Sequence, residues 1–522
     1  MNRLAIIARY TWQGNRMRIR STILDLITCL SIANLVMLKN WLVLFPFDSK
    51  KSFWLAHSQF NCYLAALINT LLIGVGLWFV LFIVGRWKGT TTLLWPLICG
   101  VTLGFALNGI RSQYAFGMHN IYRVHGNWSG LVAVVAVIFL LAGTAFCMIR
   151  YRHQAGRLYP KVALFFAPFM IVTFGSSIYA LQQVEPESAF LPHVRKNISV
   201  SANTPEIPVV WIIFDELDYG ITFERQPKEL LHPELDSLKR TSLFATHAYS
   251  PFDATSLSIP ALLTGSSLKN TIPHNSANMT LMRTDGTIRE LRTESTIFSD
   301  MRDRSIRTAL LGWFFPYARL FNVDFNVSYP QFLIPISESL TKTVILQLRN
   351  LVESEYFSPF GDSLTANNHI TNTTSLHREA IIQLQKNRYG FIFLHYPVPH
   401  NPNIFDSHSH SYGTNRNIRE GYLDNVALAD VLLGEIRATM QEIDTWDKAL
   451  VILSSDHHWR FNTYDGVIDK RHVPFLVKLP HQKSGIMFSD RFQTVNTRHR
   501  AIGYMSGFSH NLFVAQIFNT DF

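Results

Sequence analysis

Side chains that bind metal ions or phosphate groups follow three buried strands that this sequence predicts. They are Asp215 and Glu216 after VVWIIFDE, His395 and His400 around the end of YGFIFLH, and Asp456, His457 and His458 at the end of ALVILSSD. In an open α/β sheet, binding sites gather at the carboxyl ends of the strands. Carboxylates together with imidazoles suit a divalent ion such as Zn²⁺ or Mn²⁺, and oxygen ligands favour the harder metal. The three strand ends therefore predict a divalent metal site.

A run of hydroxyl residues in SPFDATSLSIPALLTG, from Ser250 to Gly265, adds a candidate nucleophile. Thr255 stands where an apolar helix begins, and a hydroxyl at that place has two interpretations. It caps the first backbone N–H groups of the helix, or it is a nucleophile held where the helix dipole favours an anion. A threonine hydroxyl is a weak nucleophile at neutral pH, so the second interpretation requires a metal or a base beside it. This stretch by itself leaves both open.

The elements that must position these side chains are short apolar strands that alternate with amphipathic segments after residue 207. The strand predictions are Val209–Glu216, Thr308–Trp313, Tyr389–His395, Ala449–Asp456 and Val473–Leu479. Continuous apolar runs of this length are typical of strands buried on both faces of a parallel sheet. The segment Tyr422–Glu442 instead has apolar residues at helical spacing. The alternation predicts an exported α/β domain over residues 208–522, with a mostly parallel sheet and helices on both faces.

The first 183 residues differ, because long apolar runs separated by short basic clusters make up most of them. Five candidate membrane spans can be drawn, at Ile23–Phe45, Leu64–Val84, Leu93–Ile110, Leu131–Ile149 and Val162–Leu181. Each is close to the ~20 residues that cross the hydrocarbon core of a bilayer. All four cysteines lie in or beside these spans, so the predicted exported domain contains none. We therefore expect a five-helix transmembrane domain at residues 1–183 and a linker at residues 184–207.

Charged residues, like apolar ones, are distributed unevenly between the first part of the chain and the rest. Of the 47 Lys and Arg residues, 16 lie up to Val184, against two of the 37 acidic residues. Most of these cations precede the first span or lie between the second and third, or the fourth and fifth. The positive-inside rule then predicts a cytoplasmic N-terminus, an inner-membrane location and a catalytic domain on the periplasmic or extracellular side. Short basic clusters between apolar runs also argue against a nucleic-acid-binding surface.

Read together, these pieces resemble the alkaline phosphatase/sulfatase superfamily, and within it the membrane-anchored phosphoethanolamine and phosphoglycerol transferases. Those proteins likewise have five spans followed by an exported sulfatase-like domain. Sulfatases carry a Cys/Ser-x-Pro-x-Arg motif that runs on into LLTG, with the nucleophile ten residues before the glycine. Counting back ten residues from Gly265 gives Thr255, and the lipid-modifying transferases use a threonine at this place. The resemblance therefore favours the nucleophile interpretation of Thr255.

The resemblance also implies roles for the other residues. The implied metal ligands are Asp215, Glu216, Thr255, Asp456 and His457. The implied substrate-phosphate ligands are His400 in HNP, His472 in RHVPF and, by its adjacency in the motif, His395. An enzyme of this kind would move a phospho-headgroup from a membrane phospholipid to a cell-envelope glycan or lipid through a phospho-threonine intermediate. It would use a divalent metal as its cofactor.

Two departures from the family pattern restrict this expectation. TSLSI lacks the inner proline and the arginine of the sulfatase motif, and the exported part has no cysteine, so sulfate-ester hydrolysis through formylglycine is not expected. The missing disulfides also separate the chain from the lipid A branch and leave the donor headgroup open. Two alternatives remain, namely a membrane-anchored phosphodiesterase, phosphatase or sulfatase-type hydrolase, and a catalytically inactive scaffold that binds the envelope.

Overall fold

The structure is a computed structural model of the 522-residue chain. The residues that it describes are 22–45, 60–84, 94–110, 150–182, 208–275, 278–330, 339–352, 364–413, 417–461 and 470–505. The chain divides into two compact units. The first comprises Met1–Lys51, His57–Glu185 and Phe332–Pro359, and the second comprises Ser52–Ala56, Pro186–Gln331 and Phe360–Phe522.

An eight-stranded sheet forms the centre of the second unit. Its strands are β1 (Val209–Asp215), β2 (Leu243–Ala245), β7 (Thr308–Phe314), β8 (Phe325–Pro330), β9 (Phe391–Pro399), β12 (Leu450–Ser455), β13 (Phe475–Lys478) and β14 (Ile486–Phe488). They are arranged in the order β14-β2-β13-β12-β1-β9-β7-β8. The smaller sheets contain β3 (Ala248–Tyr249), β4 (Leu268–Asn275), β5 (Asn278–Arg283), β6 (Ile288–Glu290), β10 (Phe405–Asp406), β11 (Ser411–Tyr412) and β15 (Phe492–Gln493).

Neighbouring strands from β12 to β8 run parallel, whereas β13 is antiparallel to both β12 and β2. The sheet is thus mostly parallel, as the apolar runs predict. All five predicted strands are present in it.

Burial on both faces explains the continuous apolar character of these strands. In β1, Val210, Ile212 and Phe214 enter one hydrophobic core, and their alternating neighbours enter the other. Because successive side chains of a strand point to opposite faces, a strand between two cores has to be apolar at every position. The first core also contains residues of the helices Leu364–Lys386 and Ile418–Glu442. The predicted α/β domain with helices on both faces is confirmed.

Helices of the second unit occupy the connections between the strands. They are Pro233–Arg240, Thr255–Thr264, Ile297–Asp303, Tyr317–Leu320, Leu364–Lys386, Ile418–Glu442 and Thr497–Met505. Short π or 3-10 turns are Gly220–Glu224, Leu291–Thr293 and Thr494–Asn496. Residues of Thr255–Thr264 and Ile297–Asp303 line the second core. We call Thr255–Thr264, which begins at the candidate nucleophile Thr255, the nucleophile helix.

The first unit is helical throughout its described residues. Its helices are Thr22–Val36, Leu38–Leu44, Phe60–Val84, Leu94–Ile110, Arg152–Phe165, Ala167–Gln182 and Leu340–Val352. Two helical stretches are long and apolar enough to cross a membrane. They are Phe60–Val84 and Leu158–Gln182, the second of which runs from within Arg152–Phe165 to the end of Ala167–Gln182. Thr22–Val36 and Leu38–Leu44 would make a third span if this pair, bent by 65°, is counted as one.

The predicted count of five membrane spans is therefore not confirmed. The span predicted at Leu93–Ile110 corresponds to the helix Leu94–Ile110, which is among the shorter apolar helices. The span predicted at Leu131–Ile149 and the linker at 184–207 lie outside the described residues. The structure thus supports two or three membrane helices in the part of the first unit that it describes.

Candidate active site

The carboxyl end of β1 lies between two strands that also end in polar side chains. Asp215 is the last residue of β1, and β1 pairs with β9 on one side and β12 on the other. His395 of β9 stands opposite Ile213 of β1, and Asp456 directly follows the last residue of β12. Three segments that are far apart in the sequence are therefore neighbours at one edge of the sheet.

Asp215, His395 and Asp456 form a compact group of ligand atoms. Each offers one such atom, and these atoms all lie within 4.8 Å of one another. The three side chains are 0% exposed. The atoms Asp215 Oδ1, His395 Nε2 and Asp456 Oδ2 have no hydrogen-bond partner within the described part of the chain. Buried polar atoms normally have partners, so this donor set fits a divalent cation.

The electrostatics of this group suits a cation at this place. Burial, and next to it the negative charges of Asp456 and Glu216, raise the pKa of Asp215 well above its usual value. Burial lowers the pKa of His395 to about 4, although the nearby Asp456 carboxylate opposes this. His395 is therefore neutral at pH 7 and keeps a lone pair for a metal. A bound cation would favour the ionised form of the carboxylates.

The Thr255 hydroxyl faces this group. Thr255 is the first residue of the nucleophile helix, and its Oγ1 lies 3.2 Å from Asp215 Oδ2 and 3.2 Å from His457 Nε2. The N-cap of the helix is Ala254, with no side-chain capping hydrogen bond. The hydroxyl is thus directed at the carboxylates instead of at the backbone N–H groups of its own helix, where it would act as a cap.

His457 directs its Nε2 atom at the threonine. Its Nδ1 lies 2.9 Å from the carbonyl oxygen of His458, and a nitrogen facing a carbonyl carries the proton. Nε2 lies 3.6 Å from Asp215 Oδ1 and 3.5 Å from Asp456 Oδ2. In the neutral ring Nε2 has a lone pair, with which it can bind a metal.

Glu216 is turned toward a different partner. Its φ of 66° is in the left-handed region, and its Oε1 accepts a short hydrogen bond from Arg460 Nε. Burial would raise the pKa of Glu216, but Arg460, followed by His400 and His457, outweighs burial and lowers it to about 2. Oε2 has no hydrogen-bond partner among the described residues. Glu216 thus keeps one oxygen for the predicted metal, beside an ion pair.

Arg460 also binds His400. Arg460 Nη2 lies 2.7 Å from His400 Nε2, while His400 Nδ1 faces the Asn401 carbonyl. Desolvation lowers the pKa of His400 to about 4, so the ring is neutral and accepts from the arginine. Sequence reasoning missed Arg460, although it stands two residues after His458 in SSDHHWR. The signal in the sequence that could have identified it is an arginine this close to a metal-binding motif.

Tyr317 and Gly312 fix the ring of His395. The Tyr317 hydroxyl lies 2.7 Å from His395 Nδ1, and both side chains are fully buried. For Nε2 to face the carboxylates as a ligand, Nδ1 has to carry the proton and donate it to the tyrosine oxygen. A Cβ on Gly312 would lie 2.5 Å from Tyr317 Cε2, so only glycine admits this ring position. No motif spacing points to Tyr317, and sequence reasoning missed it.

The predicted phosphate ligand His472 has contacts of another kind. Its ring stacks on Tyr219 with centroids 4.0 Å apart, and on Tyr249 at 5.2 Å. Its Nε2 lies 2.8 Å from the Thr246 carbonyl oxygen. These contacts hold the ring within an aromatic stack, and the phosphate role of His472 stays a prediction.

A comparison of the sequence with protein-family models identifies the family of this chain. Residues 208–517, more than half of the chain, match the protein-family model described as Sulfatase. The chain belongs to the sulfatase family. Members of this superfamily use a divalent metal, and in this sulfatase-family chain the Asp215, His395 and Asp456 group is the set of residues that could hold one.

Solved structures similar to this sulfatase-family chain include proteins with different activities in their names. Phosphonate monoester hydrolase SpPMH from Silicibacter pomeroyi is 16% identical, with a TM-score of 0.43 over 60% of this chain and 78% of that one. The PsFucS1 sulfatase from Pseudoalteromonas sp. is 15% identical, with a TM-score of 0.41 over 58% and 68%.

A third similar structure is the lipoteichoic acid synthase LtaP from Listeria monocytogenes, at 12% identity and a TM-score of 0.38 over 62% of this chain and 78% of that one. No curated protein sequence matches the chain. All three TM-scores are low, so the family assignment rests on the family model and not on these structures.

Proposed function

We propose that this sulfatase-family protein is a membrane-anchored, metal-dependent phosphotransferase with Thr255 as its nucleophile. It would carry a phosphoethanolamine- or phosphoglycerol-type headgroup from a membrane phospholipid to a cell-envelope glycan or lipid. The observation that carries the proposal is the Thr255 hydroxyl, 3.2 Å from both Asp215 Oδ2 and His457 Nε2. A hydroxyl that donates to a buried carboxylate is placed to lose its proton.

Asp215, His395 and Asp456 would hold the metal, with Glu216 and His457 as the further ligands expected from the sequence. Their unpartnered buried oxygens and nitrogen support this assignment. The bound ion would supply Lewis acidity and positive charge, which favour the deprotonated form of a nearby hydroxyl. Zn²⁺ and Mn²⁺ are both compatible with two carboxylates and one imidazole, and the carboxylates favour the harder ion.

Proton movement in the proposed reaction can be followed on the protein side chains. Thr255 Oγ1 forms a bond to the donor phosphorus while the bond from phosphorus to the diacylglycerol oxygen breaks. The threonine proton passes to Asp215 Oδ2, to which the hydroxyl already donates, and the diacylglycerol oxygen takes a proton from solvent. An acceptor alcohol then attacks the phospho-threonine and loses its proton to solvent, the bond from phosphorus to Thr255 breaks, and the Thr255 oxygen takes its proton back from Asp215. The partial positive charge at the N-terminus of the nucleophile helix favours the negative phosphoryl group at each stage.

Arg460 would bind the phosphoryl oxygens of the donor, and His400, the phosphate ligand expected from the sequence, would join it when a proton on Nε2 replaces the contact with Arg460. The Arg460 side chain is 34% exposed while it pairs with Glu216 and His400, so a donor phosphate can approach the guanidinium. A planar guanidinium binds two phosphate oxygens at once. We propose that His472, the other predicted phosphate ligand, contacts a part of the substrate farther from the reacting phosphorus.

Two or three membrane-crossing helices in the first unit support a lipid donor, because the enzyme would share the bilayer with it. The positive-inside distribution of basic residues supports an inner-membrane enzyme whose catalytic domain lies on the periplasmic or extracellular side. A threonine in place of the cysteine or serine of sulfatases argues against sulfate-ester hydrolysis.

Intact-mass measurement of the full-length protein with phospholipids tests the proposal. Purified protein in detergent is incubated with phosphatidylethanolamine and phosphatidylglycerol, and then digested and mapped. We expect one added phosphoethanolamine or phosphoglycerol mass on the peptide with Thr255, and no such mass in Thr255→Ala. Ser256→Ala, which removes the next hydroxyl of the same helix, is the matched control and should still be modified.

The same incubation separates transfer from its alternatives. Modified acceptor lipid or glycan indicates a transferase, whereas diacylglycerol release with a free phospho-headgroup indicates a hydrolase. An inactive scaffold would form neither an adduct nor diacylglycerol, and it would hold no stoichiometric metal.

A further inference from the structure

The helix Leu340–Val352, which we call the insertion helix, belongs to the first unit although it lies within the stretch that matches the sulfatase family. In the first unit it packs along the helix Phe60–Val84 and also contacts Leu38–Leu44. The sequence prediction assigned this segment to the exported domain. The sulfatase-family part of the chain therefore contributes one helix to the unit that holds the membrane-type helices.

The inner face of the insertion helix includes buried polar side chains. Thr343 and Gln347, one turn apart, are both 0% exposed. Gln347 Nε2 donates to the Cys62 carbonyl oxygen at 3.0 Å. Asn69, also 0% exposed, donates through Nδ2 to the Val344 carbonyl at 3.1 Å and to Gln347 Oε1 at 3.4 Å. Side-chain amides thus join this helix to Phe60–Val84.

A second set of polar contacts holds the end of the insertion helix. Lys39 Nζ donates to Asn350 Oδ1 at 3.2 Å, and Asn350 Nδ2 donates to Asn40 Oδ1 at 3.4 Å. Asn108 Nδ2 donates to the Leu351 carbonyl at 3.3 Å. Three helices of the first unit therefore bind the insertion helix through amide or ammonium groups.

The outer face carries two exposed apolar side chains. Ile345 is 59% exposed and Leu348, on the same face, is 37% exposed, beside the exposed Thr341 and Lys342. In water a surface helix buries its apolar side chains and exposes its polar ones, whereas this helix buries two polar side chains and exposes two large apolar ones. The helix on which it packs has the same character, with Leu72 59% and Phe79 56% exposed. In a bilayer, polar groups bond to neighbouring helices and apolar side chains face the lipid.

We propose that the insertion helix is a membrane-contacting helix, with Ile345 and Leu348 against lipid acyl chains. Lipid is the occupant of these exposed apolar positions because the helix on which the insertion helix packs, Phe60–Val84, also exposes apolar residues and is long enough to cross a bilayer. Lys342, which is exposed, and Arg349 suit anionic headgroups at the membrane surface. The proposal needs the first unit to be in a membrane and does not depend on the reaction proposed above.

Lipid contact is measured on the full-length protein with all four native cysteines replaced by alanine. Single cysteines, Ile345→Cys and Leu348→Cys, carry an environment-sensitive fluorophore, and the protein is reconstituted into phosphatidylcholine–phosphatidylglycerol vesicles. Asp285→Cys, in an exposed turn of the second unit, is the control. We expect nitroxide-labelled lipids to quench positions 345 and 348 several-fold more strongly than position 285.

Equal lipid quenching at the three positions, with strong quenching by iodide, would overturn the proposal. Weak quenching of positions 345 and 348 by both lipid and iodide would also overturn it, because a protein would then cover the face. A wild-type level of diacylglycerol release combined with either result would leave the proposed reaction intact, so the two proposals can fail separately.

Cleavage at a protease site inserted between residues 184 and 207 gives a second test. If the insertion helix is held in the membrane unit, the fragment after the cut stays in the membrane pellet on high-salt washing and is released by detergent. Asn69→Ala combined with Gln347→Ala should raise the released fraction, whereas Thr341→Ala on the exposed face should not. Full release of the cleaved wild-type fragment by salt alone contradicts the proposal.

Discussion

The Oγ1 atom of Thr255 lies 3.2 Å from Nε2 of His457, although 202 residues separate them in the chain. The same Oγ1 lies 3.2 Å from Asp215 Oδ2. One hydroxyl thus contacts an imidazole and a carboxylate of the candidate metal-binding group at once.

Thr255→Ala should lower headgroup transfer by about 10³-fold or more, because removal of a nucleophile leaves only the contribution of binding and charge stabilisation. Release of diacylglycerol from a fluorescent phospholipid measures the rate. Ser256→Ala should stay within a few-fold of wild type. A Thr255→Ala enzyme with wild-type activity would mean that another group attacks the phosphorus.

Asp456→Asn should lose the bound metal, since it removes one of the two carboxylates that lie within 4.8 Å of the other ligand atoms. Elemental analysis of the purified protein should fall from about one divalent ion per chain to well below one. Asp253→Asn, an exposed carboxylate near the nucleophile helix, should retain the wild-type content. Equal metal content in both variants would place the ion elsewhere.

Tyr317→Phe should weaken metal binding by about 10–100-fold without changing the fold. The hydroxyl at 2.7 Å orients His395 through Nδ1, and the aromatic ring stays in place after the substitution. Competition with a chromophoric chelator measures the affinity. Tyr389→Phe, which removes a hydroxyl from the segment just before β9, is the control. If Tyr317→Phe binds metal as tightly as Tyr389→Phe, the tyrosine has no positioning role.

Arg460→Gln should raise the KM for the phospholipid donor by about 10-fold or more, because a bidentate phosphate contact is lost. It should also raise the pKa of Glu216 from about 2, since Arg460 is the main group that opposes the effect of burial. Activity of the variant would then fall in acid where wild type remains active. Initial rates from pH 4 to 8 check this, and matching pH profiles would contradict it.

Asp430→Asn should change the pH dependence of stability. Burial raises the pKa of Asp430 from 3.8 to about 6, although the N–H groups of Leu235 and Glu234 donate to it and lower the pKa. The folded protein therefore binds more protons than the unfolded chain between pH 4 and 6, and wild-type stability falls as the pH rises through this window. Asparagine does not titrate, so the free energy of unfolding of the variant relative to wild type should rise over the same window.

The size of this rise is bounded by about 3 kcal/mol, from 1.36 kcal/mol per pKa unit. Urea unfolding in detergent, followed by tryptophan fluorescence at pH 4 and at pH 7, measures it. Asp303→Asn, which is exposed, should show no such trend. A constant difference between Asp430→Asn and wild type across the range would show that the carboxyl titrates normally.

The strands and the strand-end residues were predictable from the sequence because burial on both faces demands apolar residues at every position. The few polar side chains at such strand ends stand out for the same reason. The nucleophile helix was predictable from its hydroxyl run, proline and closing glycine, and Gly265 does adopt the left-handed conformation, at φ 63°. The direction of the Thr255 hydroxyl was not predictable from the sequence, because a capping threonine and a catalytic threonine would stand at the same position of the helix.

The tertiary structure decided which side chains contact one another in the candidate active site. His395 and His472 look alike in the sequence, yet His395 faces the carboxylates and His472 stacks on tyrosines, because strand order determines which loop ends meet. Arg460 and Tyr317 become part of the site for the same reason.

The sequence by itself determined that the chain has an apolar helical part and an α/β part. Each part is recognised from its local pattern of apolar residues, which differs between a protein in lipid and a protein in water. Tertiary structure decided that the insertion helix packs with the first part. Its polar face finds partners in Asn69 and Lys39, which are more than 250 residues away. Local pattern reports which residues prefer burial, whereas the partner that buries them depends on the path of the whole chain.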